Sequence, residues 1–413
     1  MSLTTHGLRG ACHNPAMLWD VFCRVIDNFG DVGVCWRLAC DLGQRGQQVR
    51  LWIDDASALN WMAPYLQWTE SDATWGLPGA QGQPGVTVHR WHDAERPASA
   101  NPGLKAGNVV VEAFGCDPPD AFIERMQARA AQGLPAQWVN LEYLSAEDYV
   151  ERSHGLRSPV WSGVGAGLSK RFFYPGFTPA TGGLLREPDL IARRQAETST
   201  PALKDAFLRR IGVDLPHDQG VQETPAELGG TILLFCYDSA PVAELLDRLA
   251  TSAPQARVLL TPGHATRLAS DWARTHPDAT LRLHPLPALP QDDFDRLLWC
   301  CDLNLVRGED SAVRALWAGR PHIWHIYEQD DGVHAGKLDA FMARWMADWP
   351  AALRASVHAW WMAWNRLGPM PDTLPDWRQA DTSWRRNSEN ARDLLAGQQD
   401  LTSQLLTFAS SSG

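Results

Sequence analysis

A short loop near the start of the chain places two carboxylates between a predicted strand and a predicted helix. The loop, DNFGDVG, runs from Asp27 to Gly33 and carries Asp27 and Asp31. Ligands of open α/β sheets bind beyond the carboxyl ends of the strands, so these carboxylates are candidates for acid–base catalysis. In the alternative, structural interpretation, Asp31 caps the helix and Asp27 forms an Asx turn. Only Gly30 and Gly33 are present, and the carboxylates would repel a pyrophosphate, which disfavours a nicotinamide cofactor here.

A second loop, Arg307-Gly308-Glu309-Asp310-Ser311, also joins a predicted strand to a predicted helix. The free N–H groups and partial positive charge of a helix N-terminus, together with Arg307 and the Ser311 hydroxyl, suit a diphosphate. The carboxylates of Glu309 and Asp310 cannot face phosphate oxygens, so they must turn toward other groups, such as a capped amide, a sugar hydroxyl or a catalytic cation. An ordinary helix cap with solvated charges is the alternative.

Aromatic residues follow the first strand of the second half and begin a later helix. Phe235 and Tyr237 lie at the end of that strand, and Phe294 lies three residues after Gln291. Such rings can stack on a flat base, and the Gln291 amide can donate to and accept from a pyrimidine edge. Core packing is the alternative explanation for these aromatic residues.

The elements that must position these residues alternate between strand and helix. In the first half we predict strands at Leu18–Ile26, Val49–Ile53, Val86–Trp91, Asn108–Phe114 and Gln137–Leu144, and helices at Val32–Arg45 and Pro119–Ala131. In the second half we predict strands at Thr231–Tyr237, Arg257–Thr261, Asp302–Val306 and His322–Ile326, and helices at Pro241–Ala250, Asp292–Cys300, Asp310–Ala318 and Ser383–Ala396. This alternation predicts two doubly wound, parallel α/β domains in tandem.

Composition shifts suggest how the chain is divided. We predict an N-terminal extension without fixed structure at 1–16, a first Rossmann-like domain at 17–188 and a second at 189–375. Residues 376–413 are predicted as a helical tail, for which the sequence allows packing back across the domains.

The overall composition excludes several classes of protein. The 413 residues carry 37 Lys and Arg against 48 Asp and Glu, a formal net charge of −11, which disfavours nucleic acid or a membrane surface as the partner. The eight cysteines include no CxxC pair, and no export signal or membrane span is evident, so we expect a cytoplasmic protein with reduced thiols.

Three separated blocks resemble one known family. They are WDVFCRVIDNFGDVGVCWRLA, PGFTPATGGLLRE and LNLVRGEDSAVRALWAGRPHIWHIYEQ. Together they resemble the bacterial elongation factor P arginine rhamnosyltransferases, the EarP family. The resemblance implies a GT-B fold, with two facing Rossmann-like domains and a central cleft. It also implies inverting transfer of L-rhamnose from dTDP-β-L-rhamnose to an arginine of elongation factor P, without a metal or other cofactor. The modified factor would then act on ribosomes stalled at polyproline.

The resemblance also assigns roles to residues of this chain. The family's catalytic carboxylates match Asp27, Asp31 and Glu309, with Asp31 expected to be the general base. The nucleotide-sugar site is expected to comprise Asn28, Phe29, Gly30, Phe235, Tyr237, Gln291, Phe294, Arg307, Gly308, Asp310 and Ser311.

Two other functions remain open at this point. A GT-B enzyme with another nucleotide sugar or acceptor would need the same two loops. A non-catalytic adaptor that binds a translation factor or nucleotide through such a cleft would bind saturably without releasing dTDP.

Overall fold

The structure is a computed structural model, and it describes residues 16–25, 29–68, 72–76, 84–215, 229–328, 332–379 and 381–411. The extension predicted at 1–16 lies outside these residues except for residue 16, and so do Asp27 and Asn28 of the first loop.

The first half of the described chain forms a sheet of nine strands. The strands are β1 (Leu18–Cys23), β2 (Gln48–Ile53), β3 (Gln67–Trp68), β4 (Asp72–Gly76), β5 (Pro84–Arg90), β6 (Val109–Ala113), β7 (Gln137–Leu141), β8 (Arg157–Pro159) and β9 (Ser169–Phe173). The helices are α1 (Gly30–Gln44), α2 (Leu59–Met62), α3 (Trp91–Glu95), α4 (Asp120–Ala130) and α5 (Tyr149–Ser153). The spatial order is β3-β4-β5-β2-β1-β6-β7-β9-β8.

The centre of this sheet is parallel, as the alternation predicts. β1 pairs in parallel with β2 and with β6, and its apolar run is almost wholly buried because helices cover both faces. The antiparallel edge strands β3, β4 and β8 were not predicted from the sequence. β3 and β8 have only two and three residues, and β8 is largely exposed, so neither has the buried apolar pattern that identified the central strands. The parallel strand β9 was not predicted either.

The second half forms a parallel sheet of five described strands, in the order β12-β11-β10-β13-β14. The strands are β10 (Thr231–Leu234), β11 (Arg257–Leu260), β12 (Arg282–Pro285), β13 (Leu303–Arg307) and β14 (His322–His325). The helices are α6 (Leu190–Glu197), α7 (Pro201–Arg210), α8 (Val242–Ser252), α9 (His264–Thr275), α10 (Gln291–Cys300), α11 (Glu309–Ala318), α12 (Val333–Trp345), α13 (Ala351–Trp364), α14 (Ser383–Ala396) and α15 (Leu401–Ser411). The prediction of two doubly wound α/β units is confirmed.

Several predicted strand ends are wrong, and the differences matter for the site. The strands predicted to reach Leu144 and Tyr237 end at Leu141 and Leu234, and the one predicted to reach Ile26 ends at Cys23. Apolar and aromatic residues continue past these ends, such as Tyr143 and Leu144 after β7 and Phe235 and Tyr237 after β10, so their composition resembles that of a strand.

Helices of the two halves meet directly. α1 packs against α11, which brings the two loops identified from the sequence into one region. The last helix, α15, returns to the first half, where Leu401, Leu405 and Ala409 join the core beneath β1 and α1. This helix lies within the helical tail predicted at 376–413, although its own bounds were not predicted.

Candidate functional site

A cavity of about 310 Å³ lies between the two halves, beside the carboxyl ends of β10 and β13. Its lining from the first half includes Phe29, Gly30 and Gly33 of the α1 start, and Trp61 of α2. From the second half, the lining includes Phe235, Tyr237, Gln291, Phe294, Arg307, Gly308, Asp310 and Ser311. The cavity therefore lies where ligands of doubly wound sheets bind.

The start of α11 faces this cavity. The chain turns from β13 into the helix at Gly308, which has φ 71° and ψ 165°, a conformation that residues with a Cβ rarely adopt. The helix then begins at Glu309, one residue earlier than predicted. The backbone N–H groups of its first turn precede the intrahelical hydrogen-bond pattern, so they are available to an anion.

Arg307 stands next to this helix start and is held by two aromatic rings. Its guanidinium carbon lies 4.6 Å from the ring centroid of Phe235 and 4.7 Å from that of Tyr237. The Arg307 Nε is buried and has no hydrogen-bond partner among the described residues. A desolvated donor without a partner is costly, and an anionic ligand in the cavity would satisfy it.

Aromatic rings line the part of the cavity that belongs to the second half. Phe235 and Phe294 meet edge to face, with ring centroids 5.7 Å apart. The backbone N–H of Tyr237 donates to Nδ1 of His325 at 3.2 Å. Burial lowers the pKa of His325 to about 3, so this ring stays neutral and can accept that hydrogen bond.

Gln291 joins this cavity to the first half of the chain. Its Nε2 donates to the carbonyl oxygen of Gly33 at 3.0 Å. A Cβ on Gly33 would lie 3.2 Å from that Nε2, so a larger residue here would require the Gln291 amide to shift by a few tenths of an ångström. This hydrogen bond uses the Nε2 of Gln291 and leaves its amide oxygen as an acceptor at the cavity.

A buried network of charges connects the two halves behind the cavity. Arg37 of α1 makes two hydrogen bonds with Asp295 of α10, at 3.0 and 2.9 Å, and its Nε donates to Asp310 of α11 at 3.0 Å. Arg314 also binds Asp295 and donates to Glu187 at 2.7 Å. The network therefore links α1, α10 and α11.

The pKa values in this network reflect opposing effects. Burial raises the pKa of Asp310, and Arg37 opposes that rise. Burial alone would also raise the pKa of Glu187, but the charges of Arg314 and Arg37 outweigh it and lower that pKa to about 2. These carboxylates are therefore retained as partners of buried arginines.

The two described carboxylates with expected catalytic roles lie in the first turns of the packed helices α1 and α11, outside the lining of the large cavity. Asp31 is buried and is the second residue of α1. Because the helix begins at Gly30 and its capping position is Phe29, Asp31 does not cap it. Glu309 begins α11, and its Oε2 accepts a hydrogen bond from the backbone N–H of Leu144 at 2.8 Å. Glu309 lines a separate small cavity together with Phe114, Glu142 and Asp310.

The structure brings the expected nucleotide-sugar residues together. Of the eleven, Asn28 lies outside the described residues and the other ten line the large cavity. The carboxylate of Glu309 faces a backbone amide, one of the groups that the sequence left open for it. Asp310 instead pairs with Arg37 of the buried network, a partner that the sequence analysis did not anticipate. The individual roles of all these residues stay predictions.

The sequence reasoning missed the residues that join the two halves: Arg37, Glu187, Asp295 and Arg314. A helical-spacing signal was present, because Arg37 follows Gly30 by seven residues and Gly33 by four, which places all three on one face of α1. Within the described part of the chain, no three His, Cys, Asp or Glu residues are grouped so as to hold a metal ion. No described helix combines the length and apolar character that crossing a membrane requires.

Comparisons with known proteins agree on one family. The family model described as elongation factor P (EF-P) rhamnosyltransferase EarP matches residues 19–410. A protein-arginine rhamnosyltransferase of Pseudomonas putida is 42% identical over 402 residues, covering 94% of this chain and 98% of the relative. One of Pseudomonas aeruginosa is 37% identical over 399 residues, covering 94% and 98%. A structure solved to explain EarP-mediated arginine glycosylation of EF-P has a TM-score of 0.62 and 28% identity, covering 96% of this chain and 100% of that chain.

Proposed function

The chain belongs to the EarP family of elongation factor P rhamnosyltransferases, with a GT-B fold, and we propose that it transfers L-rhamnose from dTDP-β-L-rhamnose to an arginine of elongation factor P. It is a glycosyltransferase by family. The donor, the acceptor, a cytoplasmic location and a role at polyproline-stalled ribosomes belong to the proposal.

The observation that carries the donor assignment is the buried, unpartnered Nε of Arg307 beside the start of α11. In the proposal, the diphosphate of the donor binds to Arg307 and the first-turn N–H groups, and the thymine lies among Phe235, Phe294 and the Gln291 amide. These fixed positive groups stabilise the leaving diphosphate, so we propose that no divalent metal is required.

The acceptor sets a particular chemical problem. A guanidinium group has a pKa above about 12 and no free lone pair, so a carboxylate cannot deprotonate it before the reaction. In the proposal, Asp31 accepts the proton while the bond between the guanidinium nitrogen and the anomeric carbon forms. The bond from that carbon to the diphosphate oxygen breaks on the opposite side, dTDP leaves and the configuration inverts. Asp27 orients the guanidinium group, and the carboxylate of Glu309 acts on the same group from the opposite wall of the cleft.

The test is the intact mass of purified elongation factor P after incubation with this protein and dTDP-rhamnose, with and without EDTA. We expect a gain of one deoxyhexose that persists in EDTA, and no gain on an acceptor whose target arginine is replaced by lysine. Absence of a gain on the unaltered acceptor, with dTDP bound, would refute the acceptor assignment. A gain that EDTA abolishes would refute metal independence.

A further inference from the structure

A group of aromatic and acidic side chains lies at the carboxyl edge of the first sheet, outside the nucleotide cavity. Phe114 follows β6, Glu142 and Tyr143 follow β7, and Tyr174 follows β9. Tyr149 begins α5 nearby and meets Tyr174 edge to face at 5.8 Å. Because these strands are parallel neighbours, their ends meet at the same edge of the sheet at which β1 ends and α1 begins.

Tyr143 and Tyr149 of this group are both exposed, and the ring of Tyr143 is in addition supported by Phe114. The rings of Phe114 and Tyr143 are stacked, with centroids 4.5 Å apart and an interplanar angle of 19°. Phe114 is buried, whereas 36% of Tyr143 is exposed. One side of Tyr143 is therefore covered by Phe114, and its exposed surface can receive a planar cation.

The charges around these rings are mainly negative. Glu142 is half-buried, and its Oε1 accepts a hydrogen bond from Asn140 at 3.1 Å. Burial raises the pKa of Tyr149, and the nearby carboxylates of Glu147, Glu142 and Glu309 raise it further. These three carboxylates therefore lie around Tyr149.

The cations near the group are already paired. The positive charge of Lys170 acts on the carboxylate of Glu142. The Lys170 ammonium group is itself bound to Glu112 at 2.6 Å and to Asp117 at 3.1 Å. Arg314 lines the small cavity, but it is bound to Asp295 and Glu187. The group therefore offers carboxylate oxygens and an aromatic surface to a cation supplied from outside.

This group adjoins the proposed reacting centre. Glu142 and Phe114 line the same small cavity as Glu309, and the backbone N–H that Glu309 binds belongs to Leu144, two residues after Glu142. The cavity, of about 30 Å³, admits water rather than a side chain, so an incoming group would lie at its mouth. A carboxylate beside a flat ring is the combination that recognises a guanidinium group by paired hydrogen bonds and stacking.

We propose that Glu142 and the exposed ring of Tyr143, supported by Phe114, bind the guanidinium group of the acceptor arginine. This inference rests on the proposed function and adds the residues that select and position its acceptor. Glu142 receives N–H groups of the guanidinium, the ring of Tyr143 stacks on its plane, and Glu309 and Asp31 face the nitrogen that reacts.

The experiment measures initial rates of rhamnose transfer to elongation factor P over a range of acceptor concentrations. The variants are Glu142→Gln, Tyr143→Ala and Tyr143→Phe, and the binding of dTDP to each is measured by calorimetry. Glu151→Gln is the matched control, because Glu151 is a carboxylate on α5 that pairs with Arg344 at 3.1 Å and lines neither of the two cavities. We expect KM for the acceptor to rise about tenfold in Glu142→Gln. We expect a rise of about fivefold in Tyr143→Ala, with most of the loss restored in Tyr143→Phe.

The dTDP affinity of these variants should stay within about twofold of the unaltered protein, because the group lies outside the nucleotide cavity. Unchanged KM values in both Glu142→Gln and Tyr143→Ala would overturn the inference while leaving the proposed function intact. A parallel loss of dTDP affinity in both variants would also overturn it, since it would show general disruption of the cleft. If the unaltered protein transfers no rhamnose, the proposed function and this inference fail together.

Discussion

Replacing Arg37 with methionine should loosen the junction between the two halves. Arg37 is almost fully buried, and the change would remove the cation that binds the buried carboxylate of Asp295 and the largely buried carboxylates of Asp310 and Glu187. Asp295 and Glu187 keep Arg314 as an ion-pair partner. Asp310 is therefore the carboxylate most affected by the loss of the Arg37 charge. Removing one member of a buried ion pair costs about 3–5 kcal/mol, and we expect about 3 kcal/mol here because two of the carboxylates remain paired.

Urea unfolding followed by tryptophan fluorescence measures this cost, and calorimetry with dTDP measures its effect on the cleft. We expect dTDP affinity to fall, because Asp310 and Gln291 line the cavity and contact α1. The double-mutant cycle of Arg37→Met with Asp310→Asn should give a coupling free energy of at least about 1.5 kcal/mol, within the range of directly bonded residues. A coupling below about 0.5 kcal/mol, or unchanged dTDP affinity, would refute this account of the network.

Three further changes test the site and the buried histidine. Asp31→Asn should lower turnover by about 10²–10⁴-fold and leave dTDP affinity unchanged, as expected for loss of a positioned base. Arg307→Ala should weaken dTDP binding about 10- to 100-fold, because it removes a charge-assisted contact to the diphosphate. Burial lowers the pKa of His322 from 6.5 to about 3. As the pH falls below 6.5, this histidine is protonated in the unfolded state but not in the folded state, so the free energy of unfolding decreases. His322→Gln should reduce this loss by about 1.4 kcal/mol per pH unit between pH 6.5 and 5, measured by urea unfolding.

Matched variants control these measurements. Asp120→Asn changes an exposed carboxylate at the start of α4 and should leave turnover unchanged, and Arg209→Ala changes an exposed arginine of α7 and should leave dTDP affinity unchanged. Normal turnover in Asp31→Asn would refute its role as base. Unchanged dTDP affinity in Arg307→Ala would place the diphosphate elsewhere. A pH-independent stability difference between His322→Gln and the unaltered protein would contradict the low pKa of this ring.

The sequence predicts those parts of the fold that repeat a local pattern. Buried parallel strands such as β1 and β6 are mainly apolar runs, each interrupted by one buried carboxylate, and the glycine at 308 marks the turn into α11, so both loops could be placed from the sequence. The pairing of Arg37 with Asp295 joins residues 258 positions apart, and no local pattern reveals which arginine meets which carboxylate. The stacked pair of Phe114 and Tyr143 was hidden for the same reason, because each ring follows a different strand.

The return of α15 to the first half affects the order in which the protein can fold during synthesis. Leu401 donates its backbone N–H to the carbonyl oxygen of Leu184 at 3.0 Å, and Asp400 pairs with Arg45 at the end of α1. The core beneath β1 is therefore incomplete until residues 401–411 have left the ribosome, although β1 and α1 are made first. The core of the second half also depends on late residues, because Trp377 and Trp384 pack into it. We expect the first half to stay incompletely packed while the second half is made, and both halves to reach their final packing only once α14 and α15 have emerged.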